Sequence, residues 1–323
     1  MKKPLLILTG PTAVGKTALS VKAAKAFHGE IISADSMQVY RGMDIGSAKV
    51  TAEEMDGIPH HLIDVLSPEE PFHVVRFQQM AKAAMDGIYS RGHLPIVTGG
   101  TGFYIQALLY DIDFTENDAD NEYREQLEEL AKTKGASYLH GLLAERDPRA
   151  AEEIHENNVK RVIRALEFYE KTGKPISEHN QAEREKESPY RFAYVVLNRD
   201  RAELYRRIDL RVDTMLHDGL LEEVKRLRDL GLNRDMVSMQ GLGYKELLAY
   251  LDGEISYEEA VRILKRDTRH FAKRQLTWFK RERQTDWLSL DHKTVEEALA
   301  ELTEILVKRG LASQDPFAIL SQS

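Results

Sequence analysis

The sequence contains no cysteine, which excludes a disulfide framework and thiolate metal sites. Nothing in the composition calls for an oxidising compartment, and the cytosol is the expected location. Apolar stretches are short. Leu5 to Leu8 is too brief for a signal segment, and no later stretch approaches the roughly 20 apolar residues of a spanning helix, so no membrane association is expected. No HExxH or comparable ligand spacing occurs, and the one close histidine pair, His60-His61, reads as structural rather than metal-binding. Two further absences bear on mechanism. No apolar strand ends in the Asp or Asp-Glu of a Walker B element, and no NKxD guanine-reading sequence is present. An ordinary nucleotide-hydrolysing switch is therefore poorly supported.

What is present is a globular composition, 42% hydrophobic and 30% charged in 323 residues, enough for a sizeable core plus an insertion. The formal net charge of -8 argues against indiscriminate binding to polyanions. One stretch runs the other way. Arg262 to Arg283 carries nine Lys/Arg against two acidic residues, a pattern that fits either a nucleic-acid footprint or a solvated helix face. Within it Arg269, His270, Lys273, Arg274, Gln275 and Trp278 interleave charge, amide and aromatic groups, a mixture suited to phosphate contact and base stacking.

Three β-prone apolar runs end in polar or glycine-rich turns and lead into helical patterns: Leu5 to Thr9, Glu30 to Ala34, and Leu94 to Thr98. Such alternation predicts an α/β fold with a parallel sheet whose ligand site lies at the carboxyl ends of the strands. Phe192 to Leu197 returns the chain to that sheet. Between about Asp113 and Tyr190 the spacing is helical, as at Tyr123, Leu127 and Leu130, which predicts a helical insertion over residues 114–190 in a discontinuous core of 1–113 and 191–312. From Ala202 onward the pattern is helical again, and 313–323 reads as a terminal tail.

The strongest motif is Gly10-Pro11-Thr12-Ala13-Val14-Gly15-Lys16-Thr17, a GxxxxGK[ST] loop between a strand and a helix. Its backbone N–H groups and the helix N-terminus can surround phosphate oxygens, Lys16 adds positive charge, and the Thr17 hydroxyl can hold Mg²⁺. The loop alone leaves open whether it holds ATP, GTP or another diphosphate. Asp35, at the end of the second run, is suited either to metal or proton-accepting chemistry or to capping a turn. Gly99-Gly100-Thr101-Gly102 places a hydroxyl at the same edge. Arg207 and Arg211 fall on one helix face, where they could clamp a departing diphosphate or pair with Glu203, Asp209 and Asp213.

Together, GPTAVGKT, ADSMQVYRGMDIGSAK, PHHLID, VTGGTGFYI, VKRVIRALEFYEKTGKP, LYRRIDLRVDTMLHDGLLEEV, GLGYKELLAYLDGEIS and KRDTRHFAKRQLTWFKR resemble the bacterial transfer-RNA dimethylallyltransferases, also called isopentenyl-transfer-RNA transferases. The blocks run in family order to about Trp287, with Thr115 to Ile154 matching least. Gly241-Leu242-Gly243 stands where the family often has Ala-Ile-Gly, and Ser47 where it often has Thr. The resemblance implies a P-loop NTPase-like fold and a donor, dimethylallyl diphosphate, held at Gly10–Thr17 with Mg²⁺. It implies as acceptor N6 of the adenosine 3′ to the anticodon. Asp35 then looks like the general base, Thr101 like a positioning group, and Lys16, Thr17 and Arg211 like stabilisers of the leaving diphosphate. Transfer RNA contacts implied are Asp35, Ser36, Met37 and Gln38 at the adenosine, and Thr101, Arg124, Val159, Lys160, Arg161, Val162 and Ile163 at the anticodon stem-loop. The basic strip adds Lys273, Arg274 and Gln275 as candidates. No obligate protein partner is evident, and a monomer is expected.

An acidic chain that meets RNA through a local basic face should bind it more weakly as salt rises from about 50 to about 200 mM. Filter binding to unmodified transfer RNA checks this, and an affinity indifferent to salt would remove the basic strip from the interface.

Overall fold

The computed structural model describes residues 2–114 and 121–312. The described residues fall into two compact units, Met1–Leu109 with Pro189–Ser323, and Tyr110–Ser188. The expected terminal tail, 313–323, and residues 115–120 near the start of the expected insertion lie outside the described residues.

In the first unit the chain alternates strand and helix: β1 (Lys3–Thr9), α1 (Lys16–Ala26), β2 (Gly29–Ser33), α2 (Ala52–Met55), β3 (His60–His61), α3 (Val74–Ser90), β4 (Leu94–Gly99) and α4 (Gly102–Leu109). Six parallel strands form one sheet in the order β3-β2-β4-β1-β5-β6, where β5 is Tyr190–Asn198 and β6 is Thr285–Ser289. Leu5 to Leu8, Ile31, Ile32, Ile96 and Val97 are all at most 1% exposed. Helices cover both faces, so the inner strands read as continuous apolar runs rather than alternating ones.

Register places the site. Thr9 of β1 is level with Gly99 of β4 and with Val196 of β5, and Ser33 of β2 is level with Thr98. The three turns foreseen from sequence therefore open at one edge, and hydrogen bonds join them: Thr9 Oγ1 donates to Gly99 O at 2.6 Å, Ala34 N to Thr98 O at 2.7 Å, and Thr101 N to Ala34 O at 3.2 Å.

The second unit contains α5 (Asn121–Lys134), α6 (Ala136–Arg146), α7 (Pro148–Glu153), α8 (Val159–Thr172) and α9 (Ile176–Glu185). Leu127, Leu139, Leu143, Val162, Ile163 and Leu166 form its core. Asp147 is buried there and satisfied, accepting from Ala150 N and from both the N–H and hydroxyl of Ser177. In the first unit the chain continues as α10 (Arg201–His217), α11 (Leu220–Asp229), α12 (Tyr244–Leu251), α13 (Tyr257–Phe279) and α14 (Val295–Lys308). No helix among the described residues is long and apolar enough to cross a membrane.

Two strands differ from the sequence reading. The stretch after Ala202 is not wholly helical, because Thr285–Ser289 adds β6 at the sheet edge with only Leu288 fully buried. His60–His61 forms β3 at the other edge. Both are short edge strands, whose pairing partner rather than their own composition fixes them. The helical pattern from Ala202 onward is also interrupted, since Gly219 at φ 103° separates α10 from α11.

At the opposite end of β2, Glu30 is buried inside the sheet unit. Arg91 donates to it bidentately at 2.7 and 2.8 Å, and His61 Nε2 and His93 Nδ1 each lie 2.7 Å from a carboxylate oxygen. The Arg91 hydrogen bonds, against the cost of burial and with help from the two imidazoles, bring its pKa down to about 2. The folded value lies below the unfolded one. The stabilisation is thus complete above the ordinary value of 4.5 and is lost as pH falls from there towards about 2. Glu30→Gln should destabilise the protein by about 3 kcal/mol at neutral pH and flatten the acid limb of its denaturation curve. Urea melts across that pH range measure both.

Candidate diphosphate and acceptor site

Residues Gly10 to Thr17 link β1 to α1. Ala13 and Gly15 have φ of 63° and 113°, left-handed values that alternate with right-handed neighbours and gather backbone N–H groups into a concavity for an anion. Gly10 has no room for a side chain, since a Cβ there would lie 2.6 Å from Leu197 O on β5. The loop is braced both from within and from distant parts of the chain. Lys16 Nζ donates to Gly10 O and Pro11 O, each at 2.9 Å. Arg207 Nε donates to Ala13 O at 2.9 Å, and Arg199 donates to Val14 O at 2.9 Å and to Leu290 O at 2.8 Å. Gln275 accepts from Thr12 N at 2.9 Å.

Charge in this loop is held at a cost. Burial lowers the Lys16 ammonium to about 8, Arg211 pushes it the same way, and Asp35 opposes. Burial likewise lowers Arg211, again opposed by Asp35. Two desolvated cations and one carboxylate thus sit within mutual electrostatic reach, leaving a site receptive to further negative charge. Of the clustered arginines after β5, Arg206 turns outward to pair with Glu203, Arg207 bonds the loop, and Arg211 lies within electrostatic reach of Lys16 and Asp35.

Of the roles open to Asp35, the capping one is visible in its hydrogen bonds. Its Oδ1 accepts from Met37 N at 2.8 Å and Gln38 N at 3.4 Å, a turn-capping role, and these bonds leave Oδ2 to accept from another donor. The following loop is fixed tightly. Ser33 Oγ donates to Gln38 Oε1 at 3.0 Å, and Gln38 Nε2 to Ala48 O at 3.2 Å. Beyond it the buried Glu223 carboxylate accepts from the backbone N–H groups of Asp44, Ile45 and Gly46 and from the Tyr244 hydroxyl, at 2.8–3.0 Å. Ser36 and Met37 are half-buried between these anchors. Thr101 caps α4 through its carbonyl, which accepts from Tyr104 N and Ile105 N. Thr17 is exposed on the first turn of α1.

The basic strip resolves into two parts along α13. Arg262, Lys265, Arg266 and Arg269 pair with Glu259, Asp213, Asp267 and Asp209. Lys273 and Arg274 are exposed and line, with His270, Thr277, Trp278 and Arg281, an open groove of about 460 Å³. Gln275 departs from its neighbours: at 5% exposure it points inward to the loop, because successive side chains on a helix are turned by about 100°. In the second unit, Lys160 and Arg161 are exposed and Val159 half-buried. Val162 and Ile163 belong to that unit's core, so their side chains are turned away from solvent. Arg124 pairs with Glu167 at 2.8 Å.

Sequence reading did not single out Arg199, Glu223 or Tyr244. Arg199 directly follows β5 at the carboxyl edge, a position that could have marked it. Glu223 sits in an ordinary-looking helical turn, and nothing local distinguishes it.

A parallel sheet whose first strand runs through a GxxxxGK[ST] loop into a helix is the architecture of P-loop proteins that grip phosphate groups. Comparison with known proteins narrows this class. The chain belongs to the IPP transferase family, whose model matches residues 38–282, while the related model described as isopentenyl transferase matches residues 3–66. It is 61% identical to the tRNA dimethylallyltransferase of Lachnoclostridium phytofermentans over 96% of this chain and 99% of that protein. The crystal structure of the full-length tRNA isopentenylpyrophosphate transferase of Bacillus halodurans superposes with a TM-score of 0.71 at 45% identity, covering 96% of this chain and 98% of that one. A eukaryotic dimethylallyltransferase solved acting on tRNA gives a TM-score of 0.82 at 29% identity, covering 97% and 81%.

A Lys16 with its pKa at about 8 must hold its proton to attract an anion. Inorganic diphosphate should therefore bind roughly tenfold more weakly at about pH 9 than at about pH 7, with proton uptake visible by calorimetry in buffers of different ionisation heat. Lys16→Arg, charged throughout, should flatten the profile, and a wild-type affinity independent of pH would deny Lys16 this role.

Proposed function

We propose that this chain transfers the dimethylallyl group of dimethylallyl diphosphate to N6 of the adenosine 3′-adjacent to the anticodon in transfer RNA, releasing diphosphate. The observation that carries the reading is the convergence of Lys16, Arg211 and Asp35 at the carboxyl edge of the sheet, two cations for a leaving diphosphate beside a base for an amine. A bond forms between N6 and the allylic carbon, the carbon–oxygen bond to the diphosphate breaks, and Asp35 Oδ2 takes the N6 proton. Lys16, Arg211 and the N–H groups of Gly10 to Thr17 stabilise the charge that develops on the diphosphate. Thr101 positions the reacting centre from the adjoining turn.

Mg²⁺ fits this site as a companion of the diphosphate. No group of three or more His, Asp or Glu that could hold a metal occurs among the described residues, and the exposed Thr17 hydroxyl supplies the single protein oxygen with which such an ion, otherwise bound by phosphate and water, is compatible. When bound it would neutralise part of the diphosphate charge.

On the RNA side, the target adenosine leaves its stack to reach Asp35, Ser36, Met37 and Gln38, and the exposed Lys273 and Arg274 meet phosphates. Lys160 and Arg161, with Arg124, serve the anticodon stem-loop from the second unit. Every group used in the step comes from one chain, and we place the enzyme in the cytosol as a monomer.

The test mixes the protein with Mg²⁺, labelled dimethylallyl diphosphate and unmodified transfer RNA bearing adenosine after the anticodon, with ATP replacing the donor as control. Label on that adenosine is expected, and consumption of ATP without label transfer would replace this reading with a phosphotransferase. Asp35→Ala should lower turnover by about 10²–10⁴-fold while donor affinity stays within a few-fold. Loss of donor binding instead would make Asp35 a diphosphate or metal contact.

A further inference from the structure

Gln275 sits in a helix turn that has two faces with different business. Its neighbours Lys273 and Arg274 project into the open groove, while its own amide is buried between two of the site's three turns. The amide oxygen accepts from Thr12 N in the phosphate loop at 2.9 Å, and the amide nitrogen donates to Gly100 O at 3.0 Å. One planar group of fixed size thus spans from the loop that holds the diphosphate to the turn that carries Thr101.

The glycines around Thr101 show how closely α13 is seated. A Cβ at Gly100 would collide with the Gln275 amide nitrogen, and one at Gly102 would collide with the Trp278 indole. Gln275 and Trp278, three residues apart and so on one helix face, therefore pack on both sides of Thr101. Thr12 N and Gly100 O lie past the ends of β1 and β4, whose mutual pairing stops at Thr9 and Gly99. Beyond that point the sheet no longer sets their separation, and the Gln275 amide does.

We propose that Gln275 is a positioning residue for prenyl transfer: it fixes the distance between the donor's diphosphate loop and the Thr101 turn, and does not itself contact RNA. This rests on the reaction proposed above. Transfer requires the allylic carbon and N6 to meet in line, and a misplacement of about 1 Å can cost on the order of 100-fold in rate.

The experiment compares wild type with Gln275→Met and Gln275→Glu in full-length protein, measuring kcat and KM for prenyl transfer, transfer RNA affinity by filter binding, and thermal melting. Met keeps the volume and loses both hydrogen bonds. It should lower kcat at saturating substrates by on the order of 100-fold, with RNA affinity within about twofold of wild type. Glu keeps the acceptor for Thr12 N but can donate to Gly100 O only when protonated. Its activity relative to wild type should therefore rise several-fold as pH falls from about 8 to about 6, a recovery that a packing role would not produce and that serves if the Met variant does not fold.

Loss of RNA affinity with kcat intact would make Gln275 an RNA contact and overturn the proposal. So would wild-type kcat in the Met variant, or a pH profile of the Glu variant parallel to wild type. Should wild type itself transfer no prenyl group, the reaction reading falls and this proposal with it, an outcome distinct from active wild type with equally active variants.

Discussion

Everything in the site depends on β1 being hydrogen-bonded on both sides in a single register. With β4 on one side and β5 on the other, Thr9 is level with Gly99 and Val196, so the phosphate loop and the Thr101 turn leave the sheet at the same height, with β5 running two residues further towards α10. A slip of one residue would reverse which side chains face which helices and would move each turn by about 3.3 Å. The close packing of the buried Leu5 to Leu8, together with the lack of room for any side chain where Gly10 meets Leu197 O, opposes such a slip. Packing energy at the centre of the sheet thereby becomes geometric precision at its edge.

That precision serves an electrostatic arrangement the folded chain would not adopt for stability alone. Lys16 and Arg211 are both desolvated, and each has its proton made less secure by burial. Glu30 shows the contrasting case at the other end of the same sheet, where a buried charge is fully compensated by Arg91, His61 and His93. The first cluster leaves its charge available to a ligand, and the second spends it on holding strands together. This chain thus keeps its uncompensated buried cations and its structural charges at opposite ends of β2 and its neighbours.

The elements legible in the sequence were those whose signal is local. β1, β2 and β4 showed themselves as apolar runs ending in glycine or polar turns, the phosphate loop as a fixed spacing, and α5 as the helical spacing of Tyr123, Leu127 and Leu130. β3 and β6 were hidden because an edge strand of two to five residues is defined by its neighbour. Arg199 and Glu223 were hidden because their meaning lies in backbone groups far along the chain, Val14 O and the N–H groups of 44–46. Gln275 was grouped with Lys273 and Arg274 because sequence proximity says nothing of which way a helix turns its side chains. Val162 and Ile163 were grouped with Lys160 and Arg161 for the same reason, yet they are core residues of the second unit.

The bracing of the phosphate loop by Arg199, Arg207, Gln275 and the carbonyl of Leu290 also has a meaning in time. The loop is made before its supports, which follow it by 185 to 263 residues. At about 5–20 residues per second, some tens of seconds of synthesis separate Gly10 from Leu290. Until Arg199, Arg207 and Gln275 have been added, a nascent chain carries a phosphate-binding motif without the contacts that shape it.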